Sequence, residues 1–207
     1  MAESPLSQGS DSGLARRGAT TRTKLVRAAA EVVAEQGYGA ASVAEIARRA
    51  GTATGTLYRH FASKGELFAY VFRDAAERQL EAMREAAAAE SRYVDKLQAV
   101  LERYALDALA NRRLSWALVY EPVDAIVDAE RLAYRRRYCD QMGGLIQAAV
   151  NAGELPPQPA SVSAAGVVGA LAEALVGPLA PVRANRPEEG DIVDAIIRFC
   201  RGALGAR

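Results

Sequence analysis

The sequence predicts an all-α protein. Three observations carry this. Apolar residues recur at three- and four-residue intervals in segment after segment, no run alternates apolar with polar residues, and serine–glutamate pairs at capping spacing, together with single glycines, bracket the periodic segments. There is no internal repeat. The 207 residues suffice to bury a core and to form one large or two small domains. Half of them are apolar and a quarter charged, the composition of a soluble globular chain.

Residues 1–19 are rich in Ser, Gly and Ala, lack periodicity and are expected to form a disordered arm. Arg16 and Arg17 close it; the arm either reaches into a minor groove or trails as a tail with two solvated charges. Over 21–36, Leu25, Ala29, Val32 and Val33 make the inner face of a first helix, which Gly37 ends, and Tyr38 is expected to fold back as core. Ser42 and Glu45 form a capping box that opens a second helix at Val43, with Val43, Ile46, Ala47 and Ala50 on its apolar face. Gly51 stops it, because only glycine enters the left-handed conformation without a steric cost. Thr52 or Thr54 is expected to cap the next helix, whose apolar residues are Leu57 and Phe61. Ser63 and Glu66 form a second capping box, opening a helix over 64–89 that carries Leu67, Phe68, Val71, Phe72, Ala75 and Ala76 and ends in an Ala-rich tail.

Further helices are expected over 93–111, over 114–120 up to the break at Pro122, over 125–151, over 161–179 and over 188–203. Loops fall at Gly153 with the prolines of 156–159, and around Pro181 and Pro187. Glu173 is the only charge in 161–179, and a helix apolar all round is expected to be buried on all sides.

The stretch 54–60 is too short and too polar to persist as a helix unaided. Leu57 and Phe61 tie it down, and its other side offers Thr54, Gly55, Thr56, Tyr58, Arg59 and His60, with Lys64 just beyond. Donors, acceptors and cations on one rod suit an anionic, hydrogen-bonding partner, and a helix-turn-helix presents such a surface to the DNA major groove.

The run from about residue 23 to 67 resembles the DNA-binding domain of the TetR family of bacterial transcriptional regulators. The resemblance rests on KLVRAAAEVVAEQGYGAASV, on AEIARRAG and, most specifically, on GTLYRHFASKGEL. It covers under a quarter of the chain; the remainder resembles the family only in length and helical content. The resemblance implies that Thr54 and Thr56 face base edges, with Thr52 from the turn among the DNA-binding residues. It implies that Gly55 lets the backbone come close, that Tyr58, His60 and Lys64 hold phosphates, and that Ser42 touches the DNA backbone from the preceding helix. Arg59 departs from the small or ringed residues often met at its place and would add a contact of its own. The implied organisation is a helix-turn-helix unit over 20–66 and a larger helical ligand-binding and dimerisation domain over 67–207, with the helix that opens at Lys64 transmitting the ligand signal.

One short helix reads few bases, so such proteins usually bind DNA as dimers. The near-chargeless stretch 162–176 and the stripe Ile192, Ala195, Ile196 and Phe199 either pair with their symmetry mates in a four-helix bundle, where the family dimerises, or are plain core. Phe72, Tyr104, Trp116, Tyr120 and Tyr138 are the candidates to line the small-molecule cavity the family implies, against an ordinary core role. Arg131 and the run Arg135 to Arg137 either attract an anionic ligand or form a solvated face; the expected effector is largely apolar or aromatic.

Other chemistries find little support. His60 is the only histidine, which leaves no serine-type triad elsewhere and no multi-histidine metal site. The glycines of 51–55 precede no Gly-Lys-Ser/Thr, and no cofactor motif appears. Glu121 and Asp124 around Pro122 are expected to be caps or solvated groups rather than an acid–base pair. Cys139 and Cys200, far apart and in no metal-like spacing, are expected to be buried reduced thiols, with a disulfide or redox sensor as the alternative. No unbroken apolar run of about 18 residues and no signal-peptide core appear, so neither a membrane span nor export is expected and a cytoplasmic location is. Up to Gly65 nine basic residues face five acidic ones; from Glu66 on seventeen face twenty, a basic head on an acidic body. The leading reading is a homodimeric repressor on an inverted-repeat operator, released by a small effector. The alternatives are a DNA-binding regulator without a ligand and, remotely, a helical enzyme or carrier.

Overall fold

The computed structural model describes residues 9–181 and 188–206, with side chains from residue 20 onward. Among them are nine helices and no strand: α1 Gly9–Ala40, α2 Val43–Arg49, α3 Thr54–His60, α4 Lys64–Ala88, α5 Tyr93–Ala110, α6 Arg112–Val119, α7 Ala125–Asn151, α8 Ala160–Leu179 and α9 Glu189–Leu204. The expected order and spans are recovered to within a few residues, apart from the first helix. The backbone is already helical from Gly9, where a structureless arm is expected. Residues 1–8 of that arm and the side chains of 9–19, Arg16 and Arg17 among them, lie outside the described residues, as does Pro187. Residues of ordinary helix propensity (Leu14, Ala15, Arg16, Arg17, Ala19) continue a helix already nucleated by α1, without an apolar stripe of their own.

Local chemistry explains the ends. Gly37 breaks α1 with φ 82° and ψ 169°. The Ser42 hydroxyl accepts from the Glu45 N–H at 3.1 Å, but only half of the expected box forms, because the Glu45 carboxylate pairs with Arg48 and Arg49 instead. In the second box Ser63 accepts from the Glu66 N–H at 3.0 Å, and the Glu66 carboxylate accepts from the Ala62 N–H at 2.6 Å. After α2, Gly51 at φ 68° closes a Schellman turn in which its N–H and that of Thr52 return to the carbonyls of Arg48 and Ala47.

Two apolar clusters form the interior, and α4 belongs to both. One joins α1, α2 and α3 to α4 as far as Leu80, and to Ala117, Leu118, Val127 and Tyr134 of α6 and α7. The other runs from Met83 through α5, the C-terminal half of α7, α8 and α9. The packing of the head therefore extends well past residue 66 into the body.

α8 packs on α7 and α9. Its 20 residues and mean hydropathy of 1.7 give it the dimensions of a membrane-crossing helix, although Ser161, Ser163 and Glu173 interrupt it. The expected all-round burial is not met. Ala164, Val167, Leu171 and Leu175 are buried, while Ser161, Val162, Ala165, Gly166, Glu173 and Ala174 are exposed, because α5, α6, α7 and α9 together leave one side uncovered. On α9, Ile192 and Ile196 point into the core, whereas Ala195 and Phe199 face outward, Phe199 at 64% exposure. A shallow cavity of about 200 Å³ between the two helices is walled by Gly166, Ala170, Phe199 and Ala203. Both cysteines are free; Cys200 is buried but Cys139 only half so.

Candidate nucleic-acid interface and body cavity

α3 has seven residues and no side-chain cap: its N-cap position is Ala53, and neither expected threonine caps it. Thr54 is already the first helical residue, and the Thr52 hydroxyl turns back to the Ala47 carbonyl at 3.4 Å. What holds the helix is burial. Leu57 is 0% and Phe61 1% exposed, each worth about 1.5–3 kcal/mol relative to exposure. The opposite flank is open. Thr54, Gly55, Tyr58 and Arg59 are exposed, while Thr56 and His60 are half-buried. A side chain at Gly55 would meet nothing within 4 Å, so this surface lets a partner approach the backbone. Arg59 donates to the Thr56 hydroxyl at 3.0 Å and fixes both on one face. Ser42 is exposed at the start of α2, its hydroxyl engaged with Glu45 N–H.

Lys64 has other work. Its ammonium donates to the Tyr38 carbonyl at 2.7 Å and the Gly39 carbonyl at 3.4 Å, over the Tyr38 ring. Burial lowers its pKa, with the nearby Asp124 carboxylate acting the opposite way. Two of its three donors are thus taken, and a phosphate could use only what remains.

Those contacts belong to a latch between head and body that the sequence does not announce. Tyr38 is buried, edge-on to Phe68 at 4.4 Å. Its hydroxyl donates to Asp124 Oδ2 at 2.7 Å and its backbone N–H to Glu121 Oε2 at 2.6 Å. Burial first, then the Asp124 carboxylate, push the phenol pKa up, which keeps it a donor. Glu121 and Asp124 thus serve as acceptors for Tyr38: Glu121 is half-buried, and Asp124, exposed as expected, occupies the N-cap position of α7 without a side-chain cap bond, one of its oxygens being committed to Tyr38. The fit is close. A Cβ on Gly65 would stand 2.4 Å from Asp124 Oδ2, and one on Gly37 2.7 Å from Glu121 Oε1.

The body holds a cavity of about 440 Å³, within the range of small-molecule sites. Phe72, Met83, Tyr104, Tyr138, Met142, Val168, Leu171 and Ala172 wall its interior, with Val119, Asp128, Arg131, Leu132 and Arg135 completing the lining. Of the five expected residues, Phe72, Tyr104 and Tyr138 line it. Trp116 and Tyr120 do not; they pack on each other at 5.2 Å, and the Tyr120 hydroxyl is spent on the Ala172 carbonyl behind the wall. Tyr104 and Tyr138 meet edge-on at 5.6 Å, and burial raises the pKa of both, so they stay neutral donors.

Arg131 and Arg135 both line this cavity. Arg131 is half-buried, whereas Arg135, like Arg136 and Arg137, is exposed, so the expected solvated face holds for that run and not for Arg131. Arg131 donates to the carbonyls of Leu118 at 2.7 Å, Ala117 at 3.2 Å and Glu121 at 3.0 Å, and pairs with Asp128 at 2.9 Å. One cavity residue thus grips the end of α6 and the loop that holds Tyr38. Charge flagged Arg131 as a ligand candidate, but not its grip on α6, which depends on how α6 ends against α7. Among the described residues no group of three His, Cys, Asp or Glu is placed to hold a metal ion.

Residues 25–71 match the model of the bacterial regulatory proteins of the tetR family. The HTH-type transcriptional activator FasR of Mycolicibacterium smegmatis is 33% identical over 100 residues, 48% of this chain and 45% of FasR. The chain thus spans less than half the length of this relative. The transcriptional regulator FadR from Bacillus subtilis, solved in complex with stearoyl-CoA, superposes with a TM-score of 0.75 at 18% identity, over 88% of this chain and 98% of FadR. AibR, solved in complex with isovaleryl coenzyme A and operator DNA, gives a TM-score of 0.66 at 17% identity, over 86% of this chain and 97% of AibR.

Proposed function

The chain belongs, through residues 25–71, to the tetR family of bacterial regulatory proteins, and from that premise we propose that it is a ligand-responsive, homodimeric transcriptional repressor. It works in the cytoplasm on an inverted-repeat operator and is released by a small, largely apolar effector. The observation that carries this reading is the open flank of α3. Exposed Thr54, Gly55, Tyr58 and Arg59 stand on a rod whose Leu57 and Phe61 are fully buried, an arrangement with no use inside the molecule.

Thr54 and Thr56 supply hydroxyls for base edges, and Tyr58, Arg59, His60 and Ser42 reach phosphates. Lys64 joins them only with the donor its carbonyl partners leave. Dimerisation through the uncovered sides of α8 and α9 brings two such rods to two half-sites. The 440 Å³ cavity supports an effector site. The fold neighbours FadR and AibR, solved with CoA thioesters, support a ligand with an apolar acyl part. The effector acts by favouring the head spacing that does not fit DNA; equal affinity for both states would shift nothing. Arg131 offers the route, joining cavity to α6, and Glu121 and Asp124 carry the shift to Tyr38.

The test is a fluorescence-polarisation titration of the DNA flanking its own gene, against a scrambled duplex, at several salt concentrations. Specific binding that weakens with salt, by a log–log slope set by the phosphates neutralised, is expected. Equal affinity for the scrambled duplex would overturn the proposal.

A further inference from the structure

The body cavity holds one charged group that the fold does not use. Arg131 is committed to three carbonyls and to Asp128, and Arg137 is paired with Glu77. Arg135 lines the cavity at its solvent-exposed rim and has no hydrogen bond or ion pair among the described residues. Its guanidinium reaches from α7 to α8, where Nη2 lies 3.7 Å from the place a Cβ on Gly169 would occupy. Glu173, one turn further along α8, stays outside ion-pair range of it. The charged lining is thus one carboxylate, Asp128, paired with Arg131, and a second cation, Arg135, with no ion-pair partner. Behind it the walls are apolar and adaptable: Met83, Met142 and Leu171 are at most 4% exposed.

We infer that the effector is an anionic amphiphile. Its aliphatic or aromatic body fills the Met- and Tyr-lined interior, and its carboxylate or phosphate is taken by the Arg135 guanidinium, whose planar fork matches either group. This rests on the ligand-responsive reading proposed above and adds the charge that reading leaves open. Gly169 lies beside the site: a Cβ there would only touch the guanidinium at ordinary van der Waals distance, so a side chain longer than alanine's is needed to crowd it.

The experiment measures binding of dodecanoate, dodecanol and dodecanoyl-CoA by calorimetry to the full chain, to Arg135→Gln and to Gly169→Leu. The wild type is expected to bind dodecanoate, dodecanoyl-CoA or both at least tenfold more tightly than dodecanol. Arg135→Gln abolishes that preference while dodecanol affinity and Tm stay unchanged. Gly169→Leu, which displaces the guanidinium without removing its charge, reduces the preference too. Sensitivity of dodecanoate to Arg135→Gln identifies the carboxylate as the anion; sensitivity of dodecanoyl-CoA alone identifies the phosphates. Equal binding of the acid, the thioester and the alcohol, an anion preference that survives Arg135→Gln, or no binding of any of the three overturns the inference. Specific operator binding would stand through all of these. Its loss beside an intact anion preference would sink the regulator reading alone.

Discussion

Replacing Gly65 with alanine tests the latch between head and body. Gly65 is buried at the start of α4, where Gly→Ala ordinarily stabilises a helix by up to about 1 kcal/mol. Here the added Cβ would stand 2.4 Å from Asp124 Oδ2 and 3.1 Å from Asp124 Cβ, which is fixed to the backbone. If Asp124 holds its place, the overlap costs about 1–3 kcal/mol. If it swings away, the Tyr38 hydroxyl loses a bond to a charged acceptor, at about 1.5–3 kcal/mol. Either route outweighs or cancels the helix gain, so Gly65→Ala should destabilise by about 0.5–2 kcal/mol, a few degrees in Tm for a chain of this size. In an Asp124→Gly background the obstructing atoms are gone, and the same change should stabilise by up to about 1 kcal/mol. Urea denaturation of the four proteins of this cycle reads the sign directly. Equal stabilisation in both backgrounds would mean that Asp124 yields freely and that the latch is not a rigid coupling.

Other outcomes follow from the same structure. Phe199→Glu, at a position 64% exposed in the single chain, should turn a dimer into a folded monomer in sedimentation velocity and weaken operator binding at least tenfold; a wild type that is monomeric at micromolar concentration contradicts the dimer. Glu77 is held down from 4.5 to about 2, first by Arg137 and then by the Tyr134 hydroxyl. Its folded pKa is depressed, so its contribution is complete above 4.5 and fades as the pH falls towards 2. Glu77→Gln should therefore lower Tm at pH 7, with the difference closing across that acid window; a constant difference would refute the pairing.

Much of this was legible in the residues. Most of the helices from α2 onward were readable because they carry apolar periodicity between chemical stops: Ser42, Gly51 and Ser63 act as their spacing predicts. The recognition rod was readable because burial of Leu57 and Phe61 forces its polar side outward. Caps were less so, since Ala53 occupies the cap position of α3 and tertiary contacts replace a hydroxyl there. The α8 surface misled because composition reports apolarity and not what covers it. The arginines stood out by their charge, but the latch and the grip of Arg131 were invisible, because the latch joins residues more than eighty positions apart and Arg131 depends on carbonyls freed where α6 ends. No periodicity encodes such a meeting.

The central claim is that the outward flank of α3 reads DNA while its buried residues only hold it in place. The most direct measurement is the affinity of Thr54→Ala/Tyr58→Ala for the DNA flanking the gene, beside its Tm. Both side chains are exposed, so Tm should hold while affinity falls at least tenfold, each lost contact being worth about 1–3 kcal/mol. Undiminished affinity at unchanged Tm would contradict the account.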